Sequence, residues 1–289
     1  MHANVTALSV LRMQHQSVKA NGIDIHYVEE GSGPPVLLLH GGVVSANPLW
    51  GEHPFAYASH VAALARRFRV LALDTRGCGR TRHTAGPITF DLLAEDVLAF
   101  IEAMSLARPA LVGFSEGAGT ATIAAIKRPG AVGALVNDAG YDLFNPDTKS
   151  AVIMRTMLGG SPTATRTDVA AAERFFQRSD MMKRTFELLK VDQDEGQGRD
   201  HWKTYLELAF ERTTTPPGYT FEDMRRVTAP SLVVTGDRDD FCSLEEGVIA
   251  FRSLKLGQLA VVPNTGHLIT RQKMERVLDF LDGVQRDGA

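Results

Sequence analysis

Gly113-Phe114-Ser115-Glu116-Gly117 is the stretch whose reading decides the fold. It follows Ala110-Leu111-Val112, a short apolar run, and opens Gly117 to Lys127, an alanine-rich helical stretch. A G-x-S-x-G turn between a strand and a helix is the setting of a nucleophile elbow: the glycines permit a cramped turn, and the turn lifts the serine hydroxyl out of the sheet. In a chain with 26 glycines, composition alone would produce about 0.1 such matches. The weight therefore lies in the strand–turn–helix placement.

A serine hydroxyl is a weak nucleophile near neutral pH and needs a base. His267, in Asn264-Thr265-Gly266-His267, follows an apolar strand and precedes the last helical stretch, so it projects from a loop at a sheet end. His15, His53 and His83 read as exposed or structural histidines. The imidazole in turn needs an orienting carboxylate. Thr235-Gly236-Asp237-Arg238-Asp239-Asp240 follows the strand Ser231–Val234 and offers three. Asp237 suits a turn or cap; Asp239 lies where the loop can fold back toward the histidine and is preferred, with Asp237 and Asp240 as alternatives. The chain order Ser115, Asp239, His267 is the nucleophile–acid–base order of this elbow. A tetrahedral intermediate also needs donors. The backbone N–H of Glu116 lies at a helix N-terminus, and Gly42, in His40-Gly41-Gly42-Val43 after the strand Val36–Leu39, supplies the second oxyanion-hole N–H.

Outward from the elbow, strand and helix patterns alternate. Residues 14–30 read as two strands joined at Asn21-Gly22, a strong hairpin signal. Val36–Leu39, Arg69–Leu73, Ala110–Val112, Val132–Val136, Ser231–Val234 and Leu259–Val262 read as buried strands. Phe90–Met104, Gly117–Lys127 and Leu268–Leu281 read as helices. Such alternation specifies an α/β fold whose sheet is mostly parallel, with helices on both faces. Residues 141–227 break the pattern. Thr165–Arg178 and Trp202–Phe210 have helical spacing, Val191–Asp200 reads as a loop, and Thr213–Gly218 reads as a hinge-like exit. The expected organisation is a core of residues 1–140 and 228–289 with a helical insertion, 141–227, placed as a cap over a pocket at the strand ends. Its aromatic and methionine side chains (Phe175, Phe176, Trp202, Met154, Met181 and Met182 among them) are ordinarily core. Any that line a pocket would make it apolar and adaptable.

The chain has 289 residues, 44% hydrophobic and 22% charged, with a net charge of −3. That balance argues against a nucleic-acid partner, and no run approaches a membrane span. No basic region precedes an apolar segment at the N-terminus, and Cys78 and Cys242 form no disulfide framework, so a cytoplasmic setting is expected. No metal-ligand spacing and no G-x-G-x-x-G is present, and no cofactor is expected.

The chain resembles the α/β-hydrolase fold family, in its capped, cofactor-free branch, over residues 20 to 285. The resemblance rests on His40-Gly41-Gly42, Asp74-Thr75-Arg76-Gly77-Cys78-Gly79-Arg80-Thr81, Gly113–Gly117, Gly236–Asp239 and Gly266-His267. It implies an eight-stranded sheet with the cap inserted after strand 6, Ser115 as nucleophile, Asp239 as acid and His267 as base. It also implies that Asp74–Thr81 is a structural turn in which Asp and Arg pair. Family members with an aspartate nucleophile, haloalkane dehalogenases and epoxide hydrolases, are disfavoured by Ser115. Glu116 departs from the neutral residue many relatives carry. It resembles the elbow acid of amino-acid ester hydrolases, so a substrate ammonium is one reading and helix-dipole compensation the other. The expected activity is acyl transfer from a small hydrophobic ester. Carbon–carbon bond hydrolysis, lactone opening and a slow-turnover ligand receptor on the same scaffold are the alternatives. Oligomeric state is not read.

Overall fold

The computed structural model describes residues 14–47, 53, 58–83, 85–144, 149–215 and 217–287. In chain order the elements are β1 (Gln14–Ala20), β2 (Ile23–Glu30), β3 (Pro35–Leu39), α1 (Ala58–Leu64), β4 (Arg69–Leu73), α2 (Phe90–Ala103), β5 (Ala110–Phe114), α3 (Glu116–Lys127) and β6 (Ala134–Asp138). They continue as α4 (Lys149–Gly159), α5 (Val169–Phe176), α6 (Asp180–Gln197), α7 (His201–Thr214), β7 (Ser231–Gly236), α8 (Leu244–Ser253), β8 (Gly257–Val262) and α9 (Arg271–Asp287).

The eight strands form one sheet in the order β1-β2-β4-β3-β5-β6-β7-β8. β1–β2 and β2–β4 pair antiparallel, and every later pair is parallel. The hairpin turns at Asn21-Gly22, both with positive φ. From β3 the chain proceeds outward to β4, then returns to the other side of β3 as β5. The C-terminal ends of β3 and β5 therefore flank a topological switch point, where open α/β sheets bind ligands.

Parallel strands buried on both faces must be apolar throughout, and Leu37, Leu39, Val112, Val136, Val233 and Val234 are all at most 1% exposed. One face packs on α2, α3 and α8 through Phe90, Phe100, Ile123 and Ala250. The other packs on α1 and α9 through Val61, Leu64, Met274 and Phe280. α4–α7 fall between β6 and β7, where the sequence places an insertion, and build a separate core. In it Phe176 stacks on Phe186 at 4.8 Å and Phe186 meets Trp202 edge-on at 5.3 Å.

Several local expectations are corrected. Val191–Asp200 is not a loop: α6 runs through Gln197, because Asp192 and Gln193 are buried on a polar helix face that apolar periodicity does not register. The last helix starts at Arg271 rather than Leu268 and ends at Asp287. α1, α4 and α8 were not anticipated. The expected exit at Thr213–Gly218 begins within α7, and its Pro216 lies outside the described residues. In the Asp74–Thr81 turn Asp74 does not pair with an arginine side chain. It accepts from His26 Nδ1 (2.7 Å) and from the backbone N–H groups of Ala46 and Arg80, while Arg76 pairs with Asp96 at 2.6 Å. A buried carboxylate in a turn is served by N–H groups already aimed at it.

α9 is pinned to the sheet by a buried ion pair. Lys273 Nζ donates to Asp138 Oδ1 at 2.9 Å and to the carbonyl of His267 at 3.2 Å, with both side chains at most 1% exposed. Burial outweighs the lysine's attraction and raises the Asp138 pKa, so the pair specifies geometry more than it stabilises. Removing one partner leaves a bare buried charge. Lys273→Met should lower the unfolding free energy by about 3–5 kcal/mol, and Asp138→Leu added to it should restore most of that loss. Denaturant titration of the three proteins checks this; equal stability of the single and double variants would contradict it.

Candidate active site

β5 ends at Phe114, and Ser115 then adopts φ 52°, ψ −121°, a conformation L-residues rarely take. The neighbouring glycines explain how it is held. A Cβ on Gly113 would lie 2.4 Å from the Gly117 carbonyl oxygen, and one on Gly117 would lie 2.2 Å from that of Leu39. The elbow is thus wedged between the start of α3 and the end of β3, with Ser115 N–H donating to the Asp138 carbonyl at 2.8 Å. Such strain persists only where the surroundings over-determine it.

The three side chains singled out in the sequence meet at the ends of β5, β7 and β8. His267 Nε2 lies 3.1 Å from Ser115 Oγ, and its Nδ1 lies 3.1 and 3.2 Å from the two Asp239 oxygens. Asp239 Oδ1 also accepts from the N–H groups of Phe241 (2.8 Å) and Cys242 (2.9 Å). Burial works to raise the Asp239 pKa, but His267 and these N–H groups together hold it below its ordinary value. Of the alternatives, Asp237 accepts from Thr265 N–H at 3.2 Å and ties the histidine loop to β7, while Asp240 is exposed. The imidazole is clamped by aromatic rings, with Phe241 stacked at 4.5 Å and Phe114 at 5.1 Å. His53 bonds Thr185 Oγ1, His83 donates to the Gly86 carbonyl and His15 bonds His26: all three are structural.

Gly42 sits across from the elbow. Its loop is fixed by His40, whose Nδ1–H donates to the Gly41 carbonyl at 2.7 Å while Nε2 accepts from Thr75 N–H at 3.0 Å. Full burial lowers the His40 pKa and keeps it neutral. The Glu116 side chain does not reach open solvent. Its Oε2 accepts from Arg212 Nη2 (2.7 Å) and Nε (3.1 Å), an arginine on α7 of the insertion.

A cavity of about 290 Å³ opens on Ser115 and His267. Its walls are chiefly Val44, Phe114, Met154, Met157, Phe175 and Phe241, with Met181, Met182 and Leu268 extending them. Phe175, Phe176 and the four methionines do line it; Trp202, Tyr205 and Phe210 belong to the insertion's own core. A buried polar patch interrupts this wall. The fully buried Asp142 accepts from Cys242 Sγ at 3.3 Å and from the Ser150 hydroxyl. The short turn after β6 that carries it had no sequence signal. The one group of potential metal ligands among the described residues is Asp239, Cys242 and His267, in which Asp239 already accepts from the Cys242 N–H and bonds His267.

Residues 36–280 match the alpha/beta hydrolase family. The chain belongs to it. A segment of 130 residues, 44% of the chain, is 33% identical to epoxide hydrolase 3 of Siraitia grosvenorii, covering 38% of that protein. A segment of 120 residues, 41% of the chain, is 33% identical to the 2-hydroxy-6-oxo-6-(2'-aminophenyl)hexa-2,4-dienoic acid hydrolase of Metapseudomonas resinovorans, covering 40% of it. The matches thus span less than half the length of these relatives. A carboxylesterase from Bacillus subtilis shares the fold with a TM-score of 0.70 at 20% identity, over 96% of this chain and 95% of that one. Among the described residues no helix is long and apolar enough to cross a membrane.

Burial pushes the Asp142 pKa from 3.8 up to about 6. A group whose pKa is raised in the fold stabilises it below the unfolded pKa and loses that contribution as pH climbs through the folded one. Asp142→Asn abolishes the titration. The stability of the wild type relative to this variant should therefore fall by about 2 kcal/mol between pH 4.5 and 7.5, as read by urea unfolding at both pH values. A pH-independent difference would refute the assignment.

Proposed function

We propose that this chain is a serine hydrolase that cleaves uncharged, apolar ester-like substrates through an acyl-enzyme. The observation that carries the reading is the Ser115–His267–Asp239 relay, within hydrogen-bond reach at each link, at the mouth of an apolar cavity. In this reading His267 Nε2 takes the hydroxyl proton as Ser115 Oγ bonds to the carbonyl carbon. The N–H groups of Gly42 and Glu116 receive the developing oxyanion. Asp239 holds the Nδ1–H tautomer and offsets the imidazolium charge. His267 then gives the proton to the leaving alcohol or phenol, and water releases the acyl group by the same route.

The insertion acts here as a cap, since α4, α5 and α6 supply much of the cavity wall and the core supplies the reacting groups. Ser115 separates this chain from an epoxide hydrolase with an aspartate nucleophile. Charge argues against a dienoic acid: the described cavity wall offers a carboxylate only Arg238, which is exposed and beside the equally exposed Asp240, while Asp142 is buried there and Glu116 is already paired with Arg212. A carboxylate substrate would find no buried cation on this wall, and a neutral acyl chain meets methionine and phenylalanine. Glu116, already paired with Arg212, is not a free partner for a substrate ammonium.

p-Nitrophenyl esters from acetate to dodecanoate, each with wild type and variants, test the reading. Turnover should peak at a medium chain. Ser115→Ala should cut kcat by about 10⁴–10⁶ and Asp239→Asn by about 10⁴. A succinate half-ester should show lower kcat/KM than the neutral ester of equal length. Wild-type rates in Ser115→Ala would end the proposal.

A further inference from the structure

An acid directly after the nucleophile is an awkward neighbour for a site where negative charge must gather. Glu116 contributes its backbone N–H to the proposed oxyanion site, and its carboxylate lies beside Gly42, the residue proposed to carry the other donor. A Cβ on Gly42 would fall 2.6 Å from Glu116 Oε1. That oxygen is buried and accepts no hydrogen bond. A bare carboxylate in this position, at low local dielectric, would repel the oxyanion and compete for the same N–H groups.

The structure offsets it with one residue from the helical insertion. Arg212, on α7, sends both Nε and Nη2 to Glu116 Oε2, leaving Oε1 beside Gly42. The side chains are 4% and 12% exposed, so water screens the pair little. His40 also approaches this carboxylate but is neutral through burial. Arg212 contributes nothing to the cavity wall itself; its neighbour Thr213 does. A structural ion pair could sit anywhere along the seam between insertion and core, and this one sits on the residue that follows the nucleophile.

We infer that Arg212 is a positioning residue for the oxyanion site, neutralising the Glu116 carboxylate and holding it off the Gly42 and Glu116 N–H groups. The inference rests on the acyl-transfer reading of Ser115. It makes chemistry at the core depend on the insertion being seated. The expected defect on losing Arg212 is in the bond-making step rather than in binding, because Arg212 is not part of the cavity wall and the seam contacts of Asp192, Gln193 and Gln197 still seat the insertion that holds the acyl chain.

The test uses the full chain and an alkyl fluorophosphonate. Ser115 Oγ bonds to phosphorus, fluoride leaves, and the hydroxyl proton passes to His267, while the phosphonyl oxygen occupies the oxyanion site. Labelling of Ser115 is followed by intact mass, and kcat and KM are measured on the best neutral p-nitrophenyl ester. Arg212→Gln should slow labelling and kcat by a hundredfold or more, with KM moving less than about threefold. Adding Glu116→Gln, which removes the carboxylate but keeps the backbone N–H, should bring both rates back to within about tenfold of wild type. Arg212→Lys, which keeps the charge, should do the same. The inference is overturned if Arg212→Gln labels at the wild-type rate, or if the double variant stays as slow as the single one. It falls equally if Arg212→Gln does not fold while the double variant does, since the pair is then structural. Wild-type protein that does not label at Ser115 refutes the acyl-transfer reading instead.

Discussion

The backbone of Ser115 is the constraint on which the rest of the molecule turns. A positive φ with strongly negative ψ in a non-glycine residue costs of order 1–3 kcal/mol, and the packing around it explains how it persists. Gly113 and Gly117 let α3 begin almost in contact with the ends of β3 and β5, and the Asp138 carbonyl on β6 takes the Ser115 N–H. Three adjacent parallel strands therefore fix one serine. The rigidity of the hydroxyl comes from the sheet and not from the loops above it, which is how a site gains precision from its scaffold.

The remaining groups are held with the same economy, each by an interaction that ties a loop to a neighbouring strand. Asp237 bonds the backbone of Thr265, so the loops after β7 and β8 move as one. Lys273 bonds both Asp138 and the carbonyl of His267, joining the histidine loop to the strand that also holds Ser115 N–H. His40 fastens the Gly42 loop to Thr75 after β4. The Ser115 hydroxyl, the imidazole and the candidate oxyanion donors are thereby referred to one sheet, and a displacement of any of these loops would break a polar contact that ties it there.

Much of this was legible before any coordinates. Continuous apolar runs marked the parallel strands, and the elbow pointed to the candidate site, because both depend on local chemistry. Among the three aspartates after β7, the preference for Asp239 agrees with the observed contact to His267, since a residue two positions beyond Asp237 can turn back. What was not legible has a common physical cause. Asp192 and Gln193 are buried against Asn47 and Cys78, 145 and 115 residues away. Their face of α6 looks like a solvated loop unless the partner is known. Lys273 reads as an ordinary helix-surface lysine and is fully buried. Glu116 reads as an acid with two possible roles, and its partner stands 96 residues later in a helix whose apolar pattern conceals an arginine. Hydropathy registers burial of apolar groups; it is silent on a polar group buried because a distant one satisfies it.

Those same polar contacts define the seam between the helical insertion and the core. Asn47 meets Asp192 at 2.8 Å, Gln193 meets Cys78 Sγ, Gln197 donates to the carbonyls of Gly79 and Thr81, and Arg212 meets Glu116. A seam made only of apolar side chains would tolerate sliding, because dispersion and burial are weakly directional. Hydrogen bonds between buried groups are directional, and a misplaced seam would strand each of them without a partner. The insertion therefore has one seating in which all of these contacts are made, and that seating sets where Met154, Phe175 and Met182 stand relative to Ser115. The apolar cavity owes its composition to the insertion's side chains and its position to this polar line. Substitutions along the line far from the cavity would be felt as changes in its shape.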